Sequence, residues 1–267
     1  MEINMKKIIV FCALLVSFMC LIACGNTFVD SRDNQVYRIV NIGNQTWMAQ
    51  NLNYRYEPQA KGDSSSYCYN NAADSCSKYG RFYLRNAAMD IAGLVPGNKP
   101  LDFSSDSSCR VSGNVRGVCP EGWHLPSKAE WDTLVAFVGG PKMAAKKLKA
   151  TIGWNYNGKE GCGNGVDLYL FSALPAGFGV VNYWDAPPQE TVKSLYSSDQ
   201  GNFTFFWSST DLDDSRTYFM ALSSCEDDST YTAPDQLGVL QELAYRFSLA
   251  FSVRCVKDEK IPSSLSK

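Results

Sequence analysis

The chain has 267 residues, 45% of them apolar and 13% aromatic, with 25 Lys and Arg against 27 Asp and Glu for a formal charge of −2. That apolar share over this length fits one large packed domain better than two small ones. The basic residues are scattered, which excludes the concentrated cationic face that nucleic acid requires, and no nucleic-acid partner is expected.

The N-terminus runs Met1-Glu2-Ile3-Asn4-Met5-Lys6-Lys7 into an apolar stretch over residues 8–23 that only Cys12, Ser17 and Cys20 interrupt. This charged-then-apolar layout is that of an export signal, and at about 16 residues the stretch is shorter than the roughly 20 needed to span a bilayer. Leu21-Ile22-Ala23-Cys24 resembles the bacterial lipobox. The resemblance implies that residues 1–23 are a signal peptide, and that Cys24 carries the diacylglyceryl group and its palmitate-type chains. Two or three chains, at about 0.8 kcal/mol per buried CH₂, anchor a protein stably. Gly25 and Asn26 follow with no Asp, so the retention signal of inner-membrane lipoproteins is missing, and the resemblance to bacterial lipoproteins implies the outer membrane, surface-exposed. The competing reading is an ordinary secretory signal and a soluble product. Removal of Glu2, Lys6 and Lys7 with the signal leaves a charge of about −3.

Residues 24–35 are polar and read as a short lipidated tether ahead of a domain over 36–258, with a polar tail at 259–267. Alternating polarity up to Ile42, then Gly43-Asn44, then residues 45–49 predicts an opening β-hairpin. Residues 55–80 are rich in Ser, Asn, Asp and Gly and read as loop, 81–92 as a strand passing into a short helix, and 93–117 as loop again. Ser127-Lys128-Ala129-Glu130 is a capping box, after which Trp131, Leu134, Val135 and Val138 share one helical face. Gly139-Gly140 stops that helix. Pro141 starts a second one, whose Met143, Ala144 and Leu148 are expected inward and whose Lys142, Lys146, Lys147 and Lys149 form a solvated face. Strands are expected at 169–174, 203–209, 218–222 and 245–256. A hairpin, then helices, then several strands is the order of an α+β fold with an antiparallel sheet.

Seven cysteines follow Cys24, and in an exported chain they are expected to be oxidised. Cys68 and Cys76 flank a turn-rich stretch able to close a short loop. An odd number leaves at least one thiol over. One histidine and no C-x₂-C pair argue against a structural metal.

Four blocks carry a resemblance across most of the chain: residues 42–54, containing Gly43-Asn44-Gln45-Thr46-Trp47-Met48; 117–127, containing Cys119-Pro120-Glu121-Gly122-Trp123-His124-Leu125-Pro126; 171–177, containing Ala173-Leu174-Pro175-Ala176-Gly177; and 252–256, Ser252-Val253-Arg254-Cys255-Val256. With residues 79–83 and 206–210 they resemble the Fibrobacter succinogenes major paralogous domain of bacterial surface lipoproteins. More distantly they are similar to the sulfatase-modifying and C-type-lectin-like superfamily. That resemblance implies a C-type-lectin-like fold with two main helices and long loops. It also places Cys119 near Cys255, a bridge closing about 137 residues. Arg85 departs from the family pattern, and Cys109, Cys162 and Cys225 are additional, so their pairing does not carry over.

Three chemistries bear on these residues. His124, between Trp123 and Leu125, reads as structural, and no Gly-x-Ser-x-Gly elbow is present. A formylglycine-generating-like activity, which resemblance to that superfamily raises, needs a late cysteine pair, whereas Cys225 and Cys255 lie far apart in sequence. Calcium would have oxygen ligands at Asp211, Asp213 and Asp214, with Glu226, Asp227 and Asp228 nearby, but the sugar-site motifs of calcium lectins are missing. No catalytic residue and no cofactor is therefore expected. Trp154, Tyr156, Tyr183 and Trp184 lie among Gly, Asn and Pro and are the candidates for stacking on sugar rings, while Trp47, Trp123, Trp131 and Trp207 are expected in the core. The leading expectation is a membrane-anchored, non-catalytic binding domain for extracellular polysaccharide or a protein partner. The alternative is a structural envelope protein without a specific ligand.

Overall fold

The computed structural model describes residues 26–56, 66–99, 113–182, 194–212, 217–225 and 249–259. These form an α+β fold in which two sheets, built mainly from antiparallel pairs, share the core with four helices among the described residues.

The hairpin forms as its pattern predicts. β2 (Val36–Ile42) pairs with β3 (Gln45–Met48) through Ile42↔Gln45, Val40↔Trp47 and Ile39↔Met48, and Gly43 supplies the φ of +62° that the turn needs. On its open edge lies β1 (Thr27–Val29), a departure from the expected tether. The reason is tertiary. Phe28 packs on Trp123 with ring centroids 5.2 Å apart, and the buried Asp30 carboxylate pairs with Arg32 at 2.7 Å. Arg32 in turn donates to the Val118 carbonyl and covers the Tyr54 ring. On the other side β12 (Val256–Lys257) pairs with both β3 and β6 (Trp123–His124), giving the order β1-β2-β3-β12-β6.

The second sheet is centred on β11 (Leu249–Ser252), flanked by β5 (Phe82–Leu84) and, at one parallel pair, by β9 (Phe203–Asp211). β10 (Thr217–Ser223) closes one edge and β4 (Ser66–Tyr67) the other. A further hairpin, β7 (Phe178–Asn182) with β8 (Ser194–Ser198), joins β11 through Val180 and Gly179. The expected loop at 55–80 also holds structure: a 3₁₀ turn at Tyr69–Asn71 and α1 (Ala73–Tyr79), tied together by a Cys68–Cys76 disulfide. α2 (Arg85–Ala88) follows β5 directly.

α3 (Lys128–Phe137) begins on the full capping box, with Glu130 N–H donating to Ser127 Oγ and Ser127 N–H to the Glu130 carboxylate. Its Trp131 lies 4.6 Å from Trp47 and 5.7 Å from Phe206, and donates its indole N–H to the Trp207 carbonyl. Trp47, Trp123, Trp131 and Trp207 are all in the core, the last donating to the Tyr83 carbonyl at 2.7 Å. α4 (Pro141–Leu148) buries Ala144 and Leu148 but leaves Met143 exposed.

Two expectations fail around α4. Lys149 does not belong to the solvated lysine face: at 2% exposure its ammonium is buried and donates to the carbonyls of Gly163, Ser223 and Ser224 at 2.8, 3.1 and 3.0 Å. Residues 169–174 are not a strand but turns, because the Asp167 carboxylate accepts from both the backbone N–H and the hydroxyl of Ser172, folding the chain back on itself. Among the described residues no helix is long and apolar enough to cross a membrane.

Candidate functional site

A polar groove of 420 Å³ opens where β2, the end of α1 and the turns at 150–152 and 167–174 converge. Alternation along β2 sets its first wall. Tyr37 turns inward and its hydroxyl accepts from the Asn53 N–H at 3.0 Å, while Arg38 turns outward into the groove. The end of α1 forms the second wall. Gly80 ends the helix at φ +74°, and a Cβ there would lie 2.7 Å from the Asn51 side chain, so only glycine allows this approach.

At the floor lies Arg254, 1% exposed. Asn51 Oδ1 accepts from its Nε at 3.1 Å and its Nη2 at 2.5 Å, the Phe171 carbonyl accepts from Nη1, and the guanidinium is held against the Phe171 and Phe206 rings. Asn51 itself donates to the Tyr79 carbonyl and to Ser252 Oγ, locking α1, the segment after β3 and β11 around this one cation. Burial lowers the Arg254 pKa to about 9, with the Asp167 carboxylate opposing and Arg38 adding to the fall. Among the described residues no carboxylate forms an ion pair with it. A second hollow of 410 Å³, lined by Asp33, Arg55 and Arg81, adjoins the groove across Gln35, Asn53 and Ser77.

The residues singled out from sequence are distributed elsewhere. Trp154 is not exposed for stacking on a sugar ring: it is 5% exposed, and its indole N–H donates to the Ala173 carbonyl at 3.0 Å in the core under α4. Tyr156 is 69% exposed. Tyr183 and Trp184 lie outside the described residues, as do Cys24, Cys109, Asp213, Asp214 and residues 226–228. Asp211 Oδ1 is paired with the buried Arg85 at 2.8 Å. Among the described residues no group of three His, Cys, Asp or Glu is placed to hold a metal ion.

His124 has both ring nitrogens engaged, Nδ1 2.6 Å from Asp258 and Nε2 2.7 Å from Glu130. Burial pushes its pKa down, but the hydrogen bonds and charges of Glu130 and Asp258 outweigh this and raise it above its ordinary value. Among the described residues three disulfides are formed: Cys68–Cys76, Cys119–Cys255 and Cys162–Cys225. The last joins the loop after α4 to the end of β10, a pairing that sequence left open.

The groove residues were missed as site candidates although Asn51 and Arg254 stand inside recurring blocks. The available signal was a charged residue within an apolar closing segment, Ser252-Val253-Arg254-Cys255, which asks for a buried partner.

Fold and site together define a disulfide-bridged α+β domain that presents a cation-floored polar groove. Residues 40–257 match the Fibrobacter succinogenes major domain, and the chain belongs to that family. No curated protein and no solved structure matches it.

Proposed function

We propose that this protein is an exported lipoprotein, held to the outer membrane through lipid on Cys24, whose C-type-lectin-like domain binds extracellular polysaccharide without catalysis. The observation that carries the reading is the groove. Its amides (Gln35, Gln50, Asn53) and hydroxyls (Ser77, Thr151) supply the dense donors and acceptors that sugar hydroxyls need, on a scaffold fixed by Arg254 and by the disulfides.

The lectin-like assignment is supported by two consecutive helices between the opening hairpin and the later strands. It is also supported by the return of β12 to β3 beside the Cys119–Cys255 bridge. The absence of catalysis is supported by the chemistry of the candidate groups. The single histidine is buried between two carboxylates. Cys225 and Cys255 sit in different disulfides, so they do not form a thiol pair. Affinity electrophoresis of the mature chain against a polysaccharide panel tests the reading. Retardation by at least one polymer, weakened by Gln50→Ala with Thr151→Ala, is expected. Unretarded migration in every gel would instead favour a structural envelope protein.

A further inference from the structure

We propose that the groove selects acidic polysaccharide, with the uronate carboxylate received by Arg38, Lys78 and Arg254; this deepens, and rests on, the polysaccharide-binding reading. Positive charge is in excess in the groove, three cations against one carboxylate. Arg38, Lys78 and Arg254 line it, and the one carboxylate among the lining residues, Asp167, already has both oxygens accepting from Ser172 at 2.7 and 2.6 Å. None of the three cations forms an ion pair with a described carboxylate.

Arg254 is the informative member. A guanidinium carries five N–H donors, and here three are used, by Asn51 Oδ1 twice and the Phe171 carbonyl once. Two donors remain on a charge that is buried at the groove floor. An unpaired buried cation is unfavourable, and a carboxylate that seats beside it gains both hydrogen bonds and charge. Arg38 and Lys78, exposed at the rim, are placed to hold the same anion or the next one along a polymer. The mature chain as a whole is acidic, so general attraction to polyanions is not what distinguishes this surface.

The test uses the full mature chain and calorimetric titration with three probes: oligogalacturonate, the same oligomer with its carboxyl groups reduced to alcohols, and poly-glutamate. Oligogalacturonate is expected to bind at least about tenfold more tightly than the reduced oligomer, the scale of one charge-assisted hydrogen-bonded contact. Its affinity should fall as salt is raised to about 0.5 M, where rim charges are screened. Arg38→Glu with Lys78→Glu should weaken it about tenfold or more with an unchanged melting temperature, while Lys142→Glu with Lys146→Glu, outside the groove, leaves it unchanged. Equal affinity for acidic and reduced oligomers would overturn the acidic selectivity and leave polysaccharide binding standing. Silence toward both would overturn the acidic selectivity, and the polysaccharide panel then decides separately whether binding to any polymer stands. Binding of poly-glutamate as tight as that of oligogalacturonate, or indifference to the Arg38 and Lys78 reversal, would also overturn the proposal. Should the double reversal unfold the chain, the comparison of acidic with reduced oligomer decides by itself.

Discussion

Replacing Cys119 and Cys255 together by alanine should destabilise the domain more than any other single crosslink removal. The bridge joins residues 136 apart in sequence, and an isolated loop of that length contributes about 5 kcal/mol in the chain-entropy treatment. The structure reduces this figure. Cys162–Cys225 lies inside the loop with a separation of 63, so the unfolded but oxidised chain can pass through it and the effective loop is about 75 residues, worth about 4.5 kcal/mol. Both half-cystines are wholly buried, and two deleted sulfurs add roughly 1 to 2 kcal/mol of lost packing. A total of about 5.5 to 6.5 kcal/mol compares with the roughly 5 to 15 kcal/mol of a typical domain, so the variant should sit near the limit of folding. Guanidinium unfolding under non-oxidising, non-reducing conditions, followed by tryptophan fluorescence, measures it. The built-in comparison is Cys68→Ala with Cys76→Ala, whose bridge spans 8 residues and contributes about 2.6 kcal/mol. A loss at Cys119 and Cys255 below about 1 kcal/mol, or smaller than at the short bridge, would refute the reasoning, as would an unreduced peptide map with Cys255 unlinked to Cys119.

Lys149→Met keeps the volume but leaves the carbonyls of Gly163, Ser223 and Ser224 without their shared donor, and a loss of roughly 2 to 4 kcal/mol in the same assay is expected; a change under about 0.5 kcal/mol would refute the clamp. The His124 contacts predict a pH window. Because the His124 pKa is raised, its stabilisation is complete below the unfolded value of 6.5 and is lost as pH climbs through the folded value, whereas Glu130, held below its ordinary 4.5, loses its contribution as pH falls through its lowered value. Stability relative to His124→Gln should therefore peak between about pH 4.5 and 6.5 and shrink above it, and a difference that stays flat from pH 6 to 9 in urea titrations would contradict this. Under the proposed anchoring, Cys24→Ser should abolish incorporation of labelled palmitate and leave unprocessed precursor or released protein; retained label would place the lipid elsewhere.

Local sequence determined the elements whose causes are local. The hairpin follows from alternation around Gly43-Asn44, and α3 from Ser127, Glu130 and one apolar face, because turn geometry and capping act over a few residues. The four core tryptophans were legible through the family resemblance, each standing in one of its blocks. Where the cause lies far along the chain, only the tertiary structure decided. β1 exists because Arg32 reaches Val118, and Lys149 is buried because carbonyls more than 70 residues away converge on it. Trp154 leaves the surface because the turn at Asp167 brings the Ala173 carbonyl beneath it. Arg254 shows the division most clearly. Its charge was plain in Ser252-Val253-Arg254-Cys255, but that it would be buried against Asn51 and Phe171, at the floor of a groove, depends on strands and turns that meet only after folding.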